Sequence, residues 1–439
     1  MKQLSGESTV GRWVAGGALV VAALAVSGCT KAANGGEGSG GLPWSALGGA
    51  TVPPTATTDP CAMWDKDSAT LVKNQLASDV SKIVGSQILD KKIAPGAAVV
   101  IGCGEKAILL LGAGNTSYDA SAKPVDVGAT LYDLASVQKP IIGAAALVLE
   151  GKGKMNLAAP VSTYIPGYSG GLKSSVTTEQ LLMHRAGMNP FGKDDLPYKT
   201  VIANATTPEM VQQNILAVAP RVEAGKTYSY SNIGFSVAGI AIRNAAGQSL
   251  ENVVQSTVLQ PLGMKNTQFN PNPAEKTCAP TSSDYNQEIY TCQVQDLLSR
   301  AQGGVAGHAG LFATAEDLSK FASMLAGKGS LNGNQVLTPA QVERMAKNQP
   351  DANYGLAVRT NKGKRFGEFM GPQAFGHTGW NGTSFVVDPA SKMWMVGLAN
   401  VSLGQKVDGS NQPLSHYLDA FAAMGESVAR SHAQLANQQ

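Results

Sequence analysis

Leu134-Ala135-Ser136-Val137-Gln138-Lys139-Pro140 holds the only place in the chain where a serine is followed three residues later by a lysine. On a helix, positions i and i+3 lie on the same side, so the hydroxyl and the amine can meet. A free serine hydroxyl is a poor nucleophile and needs a neighbour to take its proton. A lysine beside it, partly deprotonated by its surroundings, can do so. A chain of this length carries about one or two Ser-x-x-Lys matches by chance. The motif therefore gains its weight from two partners that follow it in order.

The first partner is Tyr230-Ser231-Asn232, the only Tyr-x-Asn, 94 residues after the serine (230−136) and just before a helical run from Ile233. In an extended segment, positions i and i+2 project to one side, so a phenol and an amide face one cleft. A phenol whose pKa is lowered by cations can accept a proton. The asparagine offers both a donor and an acceptor to a substrate amide. The second partner is His377-Thr378-Gly379, 147 residues further on (377−230) and ahead of Trp380-Asn381-Gly382. Glycine at 379 lets a ligand backbone approach a strand edge closely. Residue frequencies alone make all three in this order a chance event on the order of one in a hundred.

The words around these motifs resemble the penicillin-recognising serine hydrolases, the β-lactamase family, over most of residues 70–425. They are the segment from Leu134 to Pro140, Leu181-Leu182-Met183-His184-Arg185-Ala186-Gly187-Met188, Tyr228-Ser229-Tyr230-Ser231-Asn232-Ile233-Gly234, Pro261-Leu262-Gly263-Met264, Gly310-Leu311-Phe312-Ala313-Thr314-Ala315-Glu316-Asp317-Leu318 and Gly376-His377-Thr378-Gly379. The likeness is to the branch of class C β-lactamases, DD-peptidases and family VIII esterases. It implies an α+β fold, with an antiparallel sheet built from both chain ends, flanking helices and an inserted, mostly helical region. It also implies a two-step acyl transfer without cofactor or metal. Ser136 attacks and is acylated, Lys139 accepts the proton or sets the field, and Tyr230 shuttles protons and then activates water. Asn232 holds a substrate amide. His377, with Thr378 and Gly379, helps bind a substrate carboxylate or tunes Tyr230. The oxyanion hole is formed by the backbone N–H groups of Ser136 and Trp380, donors that typically contribute about 3 kcal/mol each.

Two departures from the family pattern bear on the reaction. Histidine rather than lysine at 377 removes a permanent cation, since its ordinary pKa lies near 6.5. In the family, histidine there is frequent among DD-peptidases and uncommon among efficient β-lactamases. A Glu-x-x-Leu-Asn segment is missing, so a loop glutamate activating water is unsupported. The expected function is a DD-carboxypeptidase-like penicillin-binding protein acting on peptidoglycan peptides, with β-lactams as pseudo-substrates. The alternatives are a promiscuous carboxylesterase on small acyl substrates or a weak class C-like β-lactamase. A non-catalytic cell-wall binding or sensor lipoprotein is a further one. His308 is a candidate cleft residue, a structural role being its other reading. His184 is expected to be structural, and His416 and His432 solvated. Gly167-Tyr168-Ser169-Gly170-Gly171 matches the nucleophile elbow of α/β-hydrolases, but Pro166 before it and a polar stretch after it read as a turn.

The N-terminus carries an address. Lys2 and Arg12 precede the apolar run Trp13 to Val26, too short and too rich in alanine and glycine for a good membrane span. Val26-Ser27-Gly28-Cys29 resembles a bacterial lipobox, which predicts a signal peptide over 1–28 and lipid on Cys29; an ordinary signal peptide is the alternative. Residues 29–60 follow as the lipidated cysteine and a flexible tether of Gly, Ser, Thr, Ala and Pro. The hydrolase domain is expected over 61–430, with a tail at 431–439. An acylated N-terminus anchors a protein to a membrane without spanning it. The domain then faces the periplasm or cell exterior. Thr30, in place of an aspartate, points to the outer membrane where a cell has two.

Four further cysteines, Cys61, Cys103, Cys278 and Cys292, allow three disulfide connectivities in an exported protein. Cys61–Cys103 and Cys278–Cys292 is the favoured pairing, because the second pair brackets a polar Pro/Ser/Asn-rich loop; free thiols are the alternative. No histidine lies beside them at zinc-ligand spacing. The chain has 439 residues, 43% of them hydrophobic, enough for a substantial core. A net charge of +3, no long basic block and few aromatics disfavour nucleic acid as a partner.

Periodicity predicts a helix over 66–88 with Leu71, Val72, Leu76, Val80 and Ile83 on one face. A hairpin of Ala97–Ile101 and Ala107–Leu111 should follow. Helices are expected at Ile141–Leu149, Thr178–Met183, Ser236–Ala246 and Ala315–Leu325. Strands return at Gly355–Arg359, Ser384–Val387 and Met393–Leu398, before a final helix over Leu414–Ala429.

Overall fold

The structure, a computed structural model, describes residues 20–21, 59–189, 200–283, 288–363, 366–367, 370–404 and 413–438. The expected cleavage site, Cys29 and nearly all of the tether lie outside these residues. In the full-length chain Val20–Val21 (β1) pairs with Leu111 and Gly112.

The main sheet is assembled from the two ends of the chain, as the sequence predicts. Gly96–Cys103 (β2) and Lys106–Gly114 (β3) come from one end. Arg359–Thr360 (β4), Phe375–Gly379 (β5), Thr383–Val387 (β6) and Met393–Ala399 (β7) come from the other. Their spatial order is β1-β3-β2-β7-β6-β5-β4, antiparallel throughout. Strand β2 reads as an unbroken apolar run because both faces of the sheet are covered. Ala98 and Val100 enter one core with the helical region, while Ala97, Val99 and Ile101 enter a second core under the terminal helices.

That second core is closed by Thr70–Ile83 (α1) and the last helix. Val72, Leu76 and Val80 of α1 are buried, whereas Leu71 is 80% exposed. Steps of four residues set the buried stripe, and Leu71 lies a quarter-turn off it. The strand expected at Gly355–Arg359 shrinks to Arg359–Thr360, since Ala357 sits at φ +61° and breaks the extended run. The last helix spans Pro413–Ala436, beyond the predicted end, with Leu435 buried. His432 is correspondingly not simply solvated: its Nδ1 accepts from Trp64 Nε1 at 3.1 Å, and burial lowers its pKa.

The inserted region begins with Gln138–Gly151 (α2), buried from Gln138 to Leu149 and apolar nearly all round, as a central helix must be. Asn232–Ala246 (α3) is also deeply buried, and Ala315–Ala326 (α4) lies against the sheet. Both disulfides form as favoured, Cys61–Cys103 and Cys278–Cys292. Closing separations of 42 and 14 residues constrains the unfolded chain by about 4 and about 3 kcal/mol. Among the described residues no helix is long and apolar enough to cross a membrane.

Candidate active site

Between Thr130 and Leu149 every residue is buried except Ser136. The short strand Thr130–Asp133, paired with Leu311–Ala313, delivers the chain to a tight turn. Ala135 is held there at φ +46°, a left-handed conformation that costs a non-glycine residue about 1 kcal/mol or more. Asp133 secures it: Oδ1 accepts from the Ala135 N–H at 2.9 Å and Oδ2 from the Gln295 N–H at 2.8 Å. Burial pushes the Asp133 carboxyl up to about 6, against these two bonds. Ser136 then sits in a single 3₁₀ turn, Ala135–Val137, that runs into α2. The unpaired N–H groups and dipole of a helix start favour negative charge at that point.

Lys139, one turn on, is completely buried, yet its Nζ reaches Ser136 Oγ at 2.9 Å and the His308 carbonyl oxygen at 3.2 Å. It lies 5.1 Å from the Tyr230 ring centroid and 5.4 Å from that of Phe235. Burial lowers its pKa; Tyr230 and Asp296 pull it up, and Arg359 pushes it down.

Tyr230 is partly exposed and within hydrogen-bonding reach of both Ser136 and Lys139. Burial raises the phenol, but the charges of Lys139 and Arg359 and the bonds to Ser136 and Lys139 outweigh it, leaving the phenol below its ordinary value. Ser231 caps α3 through its side chain, accepting from Gly234 N–H at 3.1 Å, so Asn232 occupies the first helical position. Asn232 is buried and its Oδ1 has no hydrogen-bond partner among the described residues. His184 lies beneath the phenol, 4.1 Å between ring centroids, and its Nδ1 accepts from the Ser231 N–H at 3.0 Å. Its structural reading holds, though sequence alone did not place it under Tyr230.

Strand β5 brings in the third motif. Gly379 abuts the nucleophile turn: a Cβ there would meet Leu134 O at 2.5 Å and Thr383 Oγ1 at 2.1 Å. Thr383 Oγ1 donates to Leu134 O at 2.8 Å and Asn381 Nδ2 to Asp133 O at 3.4 Å, so the turn that follows Gly379 and carries Trp380 is stitched to the turn before Ser136. Trp380 itself is 39% exposed at the mouth of the site. His377 fits the second of its two expected roles, tuning Tyr230, better than the first. It is fully buried, with Nδ1 2.9 Å from Thr378 O and Nε2 3.2 Å from Tyr354 Oη. Burial, with Arg359 and Lys139, depresses its pKa well below 6.5. A neutral ring with both nitrogens engaged lies on the Tyr354–Tyr230 side of the pocket.

The cation that sequence reasoning missed is Arg359. Its guanidinium lies 5.1 Å from the Tyr230 ring centroid and 6.0 Å from that of Tyr354, and its buried Nε has no hydrogen-bond partner among the described residues. It reaches the site because β4 pairs with β5 in a register that sets Arg359 opposite Gly376. No local spacing announces this, as the two are distant in sequence. Strand β4 covers β5 only at Phe375 and Gly376, so among the described residues the His377–Gly379 edge has no strand partner on that side. His308 does not line the cleft: it is wholly buried beneath Lys139. Ser169 is exposed in a glycine turn with Gly167 at φ +86° and Gly170 at φ +88°, and no strand leads into it.

The profile of the Beta-lactamase family matches residues 85–417. An Escherichia coli K12 protein provisionally named D-alanyl-D-alanine carboxypeptidase is 27% identical over 317 residues, covering 65% of this chain and 72% of that one. Among solved structures, EstCE1, titled a hydrolase with promiscuous acyltransferase activity, superposes with a TM-score of 0.65 at 22% identity, over 80% of this chain and 100% of that one. A penicillin-binding protein homologue from Caulobacter crescentus gives 0.62 at 19% identity, over 80% and 97%. The last two likenesses show the fold. With three separate chain segments meeting at one partly exposed serine, and the family profile spanning the region that carries them, the chain belongs to the β-lactamase family and is a serine hydrolase.

Proposed function

We propose that this protein is a lipid-anchored DD-carboxypeptidase, a penicillin-binding protein that removes the terminal D-alanine from cell-wall peptides. The observation that carries the reading is Arg359, a cation beside Tyr230 whose buried Nε lacks a partner. A carboxypeptidase must recognise a carboxylate next to the bond it cuts, and a guanidinium does so with charge-assisted hydrogen bonds. The uncovered His377–Gly379 edge suits an extended peptide adding as a strand, with Asn232 Oδ1 accepting an amide N–H.

In this reading, Ser136 Oγ attacks the penultimate carbonyl and its proton passes to the Lys139–Tyr230 pair. The backbone N–H groups of Ser136 and Trp380 hold the oxyanion. Tyr230 protonates the departing D-alanine nitrogen as the C–N bond breaks, then takes a proton from the water that cleaves the ester. The anchor rests on Cys29 and its lipobox. Cys29→Ala is expected to release the protein from the membrane pellet into the soluble fraction; a variant that still sediments with membranes removes the anchor from the proposal.

The decisive assay is D-alanine release from a muropeptide pentapeptide. Arg359→Gln is expected to lower kcat/KM on that substrate about 10²-fold. A neutral acyl ester should lose less than tenfold, through the weaker field at Tyr230. Ester turnover with no D-alanine released would assign the site to a carboxylesterase. Equal losses on both substrates would remove the carboxylate role of Arg359.

A further inference from the structure

Beneath Lys139 lies a group of buried polar side chains that the acyl-transfer scheme leaves unused. His308 sits in a segment containing Gly303, Gly304, Gly307 and Gly310. Gly307 packs so closely on α3 that a Cβ would meet the Phe235 carbonyl oxygen at 2.0 Å. A segment this rich in glycine has little side-chain packing of its own, so its few polar bonds decide where its carbonyls point. Gln138 accepts from the Leu311 N–H at 2.7 Å and donates to Ala306 O, while Ser299 Oγ donates to Ala309 O at 2.8 Å.

The His308 ring is held at both nitrogens. Nε2 lies 2.8 Å from Asp296 Oδ1 and Nδ1 2.9 Å from Ser236 Oγ, which also accepts from Gln302 Nε2 at 3.3 Å. A carboxylate only accepts, so Nε2 carries the proton. Asp296 is itself fixed as the cap of the helix Leu297–Ala301, with Oδ1 accepting from the Ser299 N–H at 2.8 Å. The gripped residue is the one whose carbonyl receives the Lys139 amine.

We propose that His308 and Asp296 are positioning residues for acylation: the ring, held between Asp296 and Ser236, fixes the carbonyl that orients the Lys139 amine, and the Asp296 carboxylate sets the charge on that amine. This rests on Lys139 being a proton acceptor. A neutral lysine has two N–H bonds and one lone pair. With one N–H on His308 O and the other towards Tyr230, the lone pair faces Ser136, and the serine proton moves from Oγ to Nζ as Oγ bonds to the carbonyl carbon. The charged and titratable groups facing Lys139 are Tyr230 and Asp296, which favour its protonated form, Arg359, which opposes it, and the neutral rings of His184 and His377. Asp296 in turn faces the buried Asp133 carboxyl.

Charge and geometry can be separated. The bonds of Asp296 to His308 and to the Ser299 N–H end on Oδ1, an atom that asparagine retains, so D296N keeps the grip and removes the charge. Removing a negative charge makes the Lys139–Tyr230 pair lose its proton more readily. The acid limb of the acylation rate should therefore move to lower pH by about half a unit or more. H308Q keeps the charge and breaks the two-sided grip; acylation should slow about tenfold at every pH, with the limb in place. The rate constants come from stopped-flow acylation by a chromogenic β-lactam or ester between pH 5 and 10, alongside melting temperatures. A D296N profile lying on the wild-type one overturns the charge role, and an H308Q enzyme acylating at the wild-type rate overturns the grip. Should D296N not fold, H308Q decides. K139A is the control: if it acylates normally, Lys139 is not the proton acceptor and the positioning role falls with it, whereas an inactive K139A beside D296N and H308Q profiles that match wild type overturns the positioning role alone.

Discussion

Ser136→Ala is expected to abolish acylation, with turnover of any acyl substrate falling about 10⁴-fold or more. The wild-type protein mixed with a penicillin should gain the mass of the drug; the variant should gain none after hours. The effect is large because no other hydroxyl can substitute. Among the described residues Ser136 alone combines partial exposure, a 2.9 Å hydrogen-bonding contact with Lys139 Nζ and the reach of Tyr230. Fold loss is not expected, since alanine tolerates the 3₁₀ turn and the bonds from Asp133 to Ala135 and from Thr383 to Leu134 remain. Ser169→Ala, in the decoy turn, should acylate normally. The reverse pattern would overturn the site. A lasting wild-type adduct identifies a penicillin-binding protein with stalled deacylation; a transient one, with the drug consumed, identifies a β-lactamase.

The second large effect is at Lys139. Lys139→Met should slow acylation about 10³-fold or more while the protein remains folded. Methionine fills nearly the same volume, and two stability effects oppose each other. Removing a buried amine relieves its desolvation, whereas the His308 carbonyl loses its donor, a cost of about 1–3 kcal/mol. The pH dependence gives an independent readout. The folded-state pKa of Lys139 is depressed below its ordinary 10.5, chiefly by burial. Between the two values the unfolded chain holds a proton that the folded chain lacks, so wild-type stability rises with pH across that window, reaching its full value above 10.5 and losing it as pH falls. The methionine variant should lack that component of the slope in urea unfolding at stepped pH. An unchanged acylation rate would transfer the proton-accepting role to Tyr230 alone.

Much of this was legible along the chain because it depends on local rules. Ser136 and Lys139 needed only helical spacing, the β2–β3 hairpin needed its apolar runs, and Asn232 needed its place at the start of α3. Errors arose where neighbours in space overrode local pattern. Leu71 fits an apolar stripe by composition yet points to water, because the sheet accepts only the Val72–Leu76–Val80 face. Gly355–Arg359 has strand-like residues but turns at Ala357, so that Arg359 alone arrives beside Tyr230.

His377 shows the same division. Its motif marks the right strand, but its contacts with Thr378 O and Tyr354, which favour the tuning role over the carboxylate-binding one, are visible only in three dimensions. Sequence by itself determined the family, the candidate nucleophile, its two motif partners, and a sheet drawn from both chain ends. These are carried by spacing within an element or by residues that the chemistry cannot do without. Tertiary structure alone decided that Arg359 supplies the cation, that His184 and Tyr354 wall the phenol, and that His308 and Asp296 lie beneath the lysine. Each of those depends on strand register or on packing between segments distant in sequence, and a one-residue slip in register would turn the same side chain to the opposite face.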